Sequence, residues 1–247
     1  MVVILEAELK EVLGQPGCPL CRLEHMAERT YCTWFVLENY YSAPTLEALC
    51  RGGFCPTHAW RMAQLAGQKL TATYDVLVRE AEQRVRTALA ATTGTGFSSR
   101  WRRRRWRAML NRVLERREPC PVCETVAKRA ELGAIHLLVF LAQDEGKARY
   151  GRSDGLCWAH LVGVCRLADP PMAAFLLSDF LKRLTVLQER LAEYFRKSDY
   201  RFAHEPKGPE QVAYLEAVER FSGAVDKVAG IALPPGTKFA GRNEQSG

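Results

Sequence analysis

The sequence turns on CPLC, Cys18 to Cys21, because CPVC follows at Cys120 to Cys123. Each pair has the same sequel: GFCPTH at Gly53–His58 after the first, and GLCWAH at Gly155–His160 after the second. Cys18, Cys21, Cys55 and His58 therefore recur 102 residues later as Cys120, Cys123, Cys157 and His160. The chain carries one pattern twice, Cys-x2-Cys, 33 residues, Cys-x2-His, and a repeat of this kind dictates architecture.

Such a set points to metal chemistry. Two thiols three positions apart on a turn converge on one ion, with Pro19 and Pro121 fixing φ and favouring a helix start. Cys55 and His58, and Cys157 and His160, stand at i and i+3 of a helix and point to one side. Three thiolates and an imidazole complete a tetrahedral Cys3His set, a usual structural zinc site. The expectation is one zinc per repeat: Cys18, Cys21, Cys55 and His58 in the first, and Cys120, Cys123, Cys157 and His160 in the second. A first helix of about 20 residues runs roughly 30 Å from the thiol pair, and about 13 extended residues can return to it. An iron–sulfur cluster with one histidine ligand is the alternative cofactor. A redox dithiol would not need the distant Cys-x2-His, and four protein ligands leave no open position for catalysis. No nucleophile–base pair or phosphate-binding loop stands out, so no enzymatic activity is expected. His25 and His136 lie opposite Ala127 and Trp34 and fall outside the repeated set.

The fold class is all-α, two tandem helical repeats, each pinned by a Cys3His site. Leu23, Ala27, Trp34, Leu37 and Tyr41 recur at helical steps, as do Val126, Ala130, Ala134, Leu137 and Leu141. Pro44 and Gly146 mark the ends of these first helices. Second helices start near Cys55 and Cys157, and long third helices cover 68–91 and 170–197. The divisions are 1–96 for the first repeat, 97–119 for a linker helix, 120–200 for the second repeat, and 201–247 for a loop, short helix and disordered tail.

The net charge of +7 is concentrated. Residues 97–119 hold nine arginines and two glutamates, +7 alone, and the rest of the chain balances. The run Arg100, Trp101, Arg102, Arg103, Arg104, Arg105, Trp106 and Arg107 interleaves cations with aromatics, which suits phosphate contact and base stacking. It also suits an acidic protein or an anionic membrane surface, or a plain solvated linker. Cys32, Cys50 and Cys165 are expected as buried free thiols, since unpaired cysteine behaves as a small hydrophobe. The N-terminus lacks a signal-peptide pattern and no apolar run reaches bilayer length, which makes the expected location cytoplasmic.

The double CPxC…GxCxxH pattern, followed by KSDYRFAHEPKGPE at 197–210, resembles a bacterial family of unknown function with a DYRF…EP-G segment near its C-terminus. That resemblance, over about Leu5 to Gly223, implies a helical metal-binding protein and supplies no activity. The arginine run is not part of the family pattern. The leading expectation is a zinc-stabilised, non-enzymatic adaptor for a macromolecular partner. Nucleic-acid binding through Arg100–Arg107 and a redox or iron–sulfur role for the Cys3His sites are the alternatives.

Overall fold

The computed structural model describes residues 2–90, 100–114, 118–202 and 204–224. The described residues are helical, with no strand among them. Two series with the same order follow one another. The first is α2 (Pro19–Trp34), α3 (Ala43–Arg51), α4 (Pro56–Ala66) and α5 (Leu70–Ala90). The second is α7 (Pro121–Leu141), α8 (Asp144–Arg152), α9 (Trp158–Leu167) and α10 (Pro170–Lys197). Helix α1 (Val2–Val12) precedes them, α6 (Arg100–Leu114) lies between, and a short 3-10 turn leads into α11 (Ala213–Ser222). The Gly/Ser/Thr stretch at 91–99, expected as a loop or linker, and the tail from 233, expected as disordered, lie outside the described residues.

Proline and the N-cap explain where the helices begin. Pro19, Pro56 and Pro121 occupy the first helical position, where a missing N–H costs nothing. Asp169 caps α10, its carboxylate accepting from the Met172 N–H at 2.9 Å. Pro44 and Gly146 open helices instead of ending them: they lie in the first turns of α3 and α8. Helix α2 ends in a π-turn over Phe35–Asn39. Phe35 is fully buried, in helical register with the buried Glu28 and Cys32, while Trp34, Leu37 and Tyr41, apolar by periodicity, are exposed.

The described chain forms two compact units that do not follow the tandem order. One comprises residues 1–26 and 127–247, the other 27–126, so the divisions fall inside α2 and inside α7. The core of the first unit gathers Leu9, Leu20, Leu23, Leu137, Leu156, Leu161 and Leu176. That of the second gathers Phe35, Leu49, Phe54, Met62 and Val122, with Phe35 and Phe54 edge to face at 5.3 Å. The middle residues of the motifs are core residues: Leu20 and Val122 of CPLC and CPVC, and Phe54 and Leu156 of GFC and GLC. Each ligand pair is thus keyed into apolar packing by its own motif. Leu137 makes a direct test. It has no exposed surface, and Leu137→Ala should lower stability by about 2–5 kcal/mol in a urea titration.

Candidate metal centres

The two copies of each ligand pair have the same local geometry. Cys55 and Cys157 are N-caps with extended backbone, at φ −68° and −75°, and His58 and His160 sit in the first turns of α4 and α9. Cys18 and Cys120 directly precede α2 and α7, with Cys21 and Cys123 in their first turns. Gly53 and Gly155 lead into the Cys-x2-His halves at φ 68° and 73°. This left-handed turn favours glycine and explains why glycine stands there in both copies of the motif. Every ligand therefore lies at a helix N-terminus, where the helix dipole favours thiolate charge by about 0.3–1 kcal/mol.

The eight residues come together as two groups, and the grouping crosses the repeats. Cys18 and Cys21 meet Cys157 and His160 in the first unit, and Cys55 and His58 meet Cys120 and Cys123 in the second. This corrects the expected pairing within each repeat. The reach estimate took the connection before Cys55 as extended. Nine of those residues form α3, rising about 1.5 Å each instead of about 3.3 Å, and α8 does the same in the second repeat. The shortened connections leave little slack for each Cys-x2-His to return to its own Cys-x2-Cys.

The distances match one tetrahedral ion per group. Zn–S bonds of about 2.3 Å and a Zn–N bond of about 2.0 Å imply S···S edges of about 3.8 Å and S···N edges of about 3.5 Å. In the first unit His160 Nδ1 lies 3.4, 3.4 and 3.2 Å from the sulfurs of Cys18, Cys21 and Cys157, and Cys21 lies 3.7 Å from Cys157. In the second, His58 Nδ1 lies 3.2, 3.5 and 3.3 Å from Cys55, Cys120 and Cys123, and Cys123 lies 3.7 Å from Cys55. Both groups present Nδ1, and four ligand atoms leave no open tetrahedral position.

The outer nitrogens reveal two residues that sequence reading missed. His160 Nε2 faces Glu24 at 3.2 Å, and His58 Nε2 faces Glu28 at 3.0 Å. Arg61 pairs with the same Glu28 oxygen. A carboxylate on the far nitrogen fixes the tautomer and orients the ring for a metal on Nδ1. Glu24 and Glu28 stand opposite Val126 and Ala130, so the repeat conceals them. Their helical spacing from Cys21, at +3 and +7, was the available signal. Glu24→Gln should weaken metal binding in the first unit by about 10- to 100-fold, read by competition with a chromophoric chelator.

The metal-free groups already separate charge. Hydrogen bonds that the His58 ring donates to Cys120 and Glu28 push it up to about 10, against the opposing effect of burial. Cys120 is buried, which alone would raise its thiol, yet its hydrogen bond with His58 and nearby backbone N–H groups bring it down to about 6. In the other group, burial opposes His160, but Cys157, Cys18 and Glu24 push it up to about 12. Hydrogen bonds from Cys18 and Cys21 hold Cys157 well below the usual thiol range. Each group therefore favours a thiolate–imidazolium pair, and a cation bound there would displace the imidazolium proton from Nδ1.

The arginine run lies on α6, which packs on α5. Arg104 and Arg107 are exposed and Trp106 is half-buried, with Met109, Leu110 and Val113 also half-buried. The side chains of Arg100, Trp101, Arg102, Arg103 and Arg105 lie outside the described residues. Of the three cysteines expected to be buried free thiols, Cys32 is buried, whereas Cys50 and Cys165 are only half-buried. Among the described residues no helix is long and apolar enough to cross a membrane.

The class that fold and site define is an all-α protein with two Cys3His groups, each positioned as a possible metal site at meeting helix N-termini. The chain belongs to a family of unknown function (DUF6062), which matches residues 4–227. No curated protein and no solved structure matches it.

Proposed function

We propose that this protein is a non-enzymatic, zinc-stabilised helical adaptor of the cytoplasm that holds two zinc ions and presents its helices to a macromolecular partner. The observation carrying this reading is the closed geometry of both groups, three sulfurs and one Nδ1 on tetrahedral edges. A site with four protein ligands holds chain segments together and offers no position for substrate or activated water. Three thiolates favour zinc over harder cations. Exposed aromatic side chains support a binding surface: Trp60 in the second unit is 75% exposed and Tyr200 in the first 86%. The exposed Arg104 and Arg107 support an acidic partner or nucleic acid at α6.

The test begins with metal. Protein purified anaerobically should be colourless and hold two zinc ions per chain. Cobalt exchange should give the strong visible bands of a tetrahedral ion bound by three sulfurs and one nitrogen. Absorption near 400 nm with stoichiometric iron would replace the zinc reading by a cluster. Cross-linking in native extract should then recover a stoichiometric macromolecule, and Arg104→Glu with Arg107→Glu should reduce its recovery. Nuclease treatment separates the two partner classes, since recovery of a protein survives it.

A further inference from the structure

The two groups share their distances and differ in access. In the first unit Cys18, Cys21 and Cys157 are 5%, 4% and 2% exposed. The chain closes over them after α11. A Cβ built on Gly223 would lie 3.1 Å from Cys21 Sγ and 4.0 Å from Cys157 Sγ, and only glycine, here at φ 86°, fits there readily. Further ties hold the surrounding loops. Arg220 donates to the Asp154 and Leu156 carbonyls at 2.8 and 2.9 Å, and the Gly17 N–H donates to Asp154 Oδ2 at 2.7 Å. In the second unit Cys120 is buried, Cys55 is half-buried and Cys123 is exposed. Its sulfur lies 3.7 Å from Cys55, as Cys21 lies 3.7 Å from Cys157.

From this contrast we infer that Cys123 is a thiol-modification site through which peroxide opens the Cys55–His58–Cys120–Cys123 centre and releases its metal, while the Cys18–Cys21–Cys157–His160 centre stays closed. The inference rests on the zinc reading above. Both centres have the same ligand set, so intrinsic nucleophilicity alone does not distinguish them. Reaction follows thiolate character together with access, and Cys123 is the most exposed of the six ligand cysteines.

The chemistry closes on the residues present and one oxidant. The Cys123 thiolate attacks hydrogen peroxide; the O–O bond breaks, an S–O bond forms and hydroxide leaves. Sulfur is oxidised by two electrons and peroxide is reduced by the same two. The Cys55 thiolate then attacks the sulfenic sulfur, forming the S–S bond and expelling a second hydroxide. The metal, left with Cys120 and His58 alone, departs as the hydrated ion. The start of α4 and the start of α7 lose their shared ion, and a covalent Cys55–Cys123 bridge takes its place.

The experiment uses the full zinc-loaded chain, hydrogen peroxide and a chromogenic zinc indicator. Release should occur in two phases, the first comprising one zinc per chain and at least about tenfold faster than the second. Peptide mapping after the first phase should find a Cys55–Cys123 disulfide. Brief iodoacetamide treatment should label Cys123 before any other ligand. Cys123→His keeps four ligands without the exposed thiolate and should abolish the fast phase. Release of both ions in one phase, or first labelling at Cys18, Cys21 or Cys157, would overturn the inference and leave the zinc reading intact. A Cys120–Cys123 disulfide would overturn the role given to Cys55. Protein that holds no zinc in any preparation would overturn both the inference and the reading beneath it.

Discussion

Cys21→Ser combined with His160→Ala should reduce the zinc content from two ions per chain to one, whereas Cys21→Ser combined with Cys55→Ser should reduce it to none. The first pair damages a single centre, since both residues belong to the group of Cys18, Cys21, Cys157 and His160. The second pair removes one ligand from each. Pairing within repeats gives the reverse result, with Cys21 and Cys55 sharing an ion and Cys21 and His160 belonging to different ones. Loss of one of three thiolates is expected to lower affinity enough that elemental analysis after gel filtration scores each centre as filled or empty. Residues from the two centres should also act additively on stability, and residues within one centre should not, because the second lesion removes an ion already lost. A stoichiometry of one for Cys21→Ser with Cys55→Ser would refute the crossed grouping.

Chelation should have an effect of similar size on the fold. Apparent binding energies of structural zinc sites reach about 10–16 kcal/mol at pH 7, comparable with the roughly 5–15 kcal/mol that holds a whole domain folded. Stripping both ions should therefore abolish the cooperative thermal transition and lower the helical circular dichroism at 25 °C. The sign of the pH dependence follows from the ligands. On the proposed zinc reading, His58 and His160 would meet the ion through an Nδ1 that is protonated in the free centre, with pKa values pushed up to about 10 and about 12. The free centre holds more protons than the loaded one, so lowering pH favours metal loss. At a fixed free zinc concentration, occupancy should be lower at pH 6 than at pH 8. Unchanged melting after verified metal removal would show that the ions do not hold the fold.

Much of the architecture was legible because helical periodicity and proline placement are local signals. The long helices α5 and α10 lie where their patterns place them, and all eight residues of the two Cys3His groups stand out by spacing alone. Trp34, Leu37 and Tyr41 were misread because the buried face here runs through Glu28, Cys32 and Phe35, a stripe that includes a carboxylate and so does not read as apolar. The grouping of ligands was not legible either. The 102-residue offset makes Cys55 and Cys157 equivalent, so spacing cannot say which thiol pair each one meets. The length taken up by α3 and α8 tightens the return to each repeat's own thiol pair, and those helices have too little pattern of their own to show in the sequence. Glu24 and Glu28 escaped for a related reason: they act on residues distant in sequence, and the duplication has no copy of them.

The crossed grouping also gives the centres an order. The ligands from Cys55 to Cys123 lie wholly inside the span from Cys18 to His160, as one bracket inside another. A chain emerging from the ribosome can complete the inner centre once Cys123 is free, while Cys18 and Cys21 wait for partners 136 to 142 residues away. The halves are therefore not separable modules. A fragment ending at residue 96 would carry two cysteines of one centre with a cysteine and a histidine of the other, and could finish neither. Duplication in the sequence has become interdependence in the folded chain.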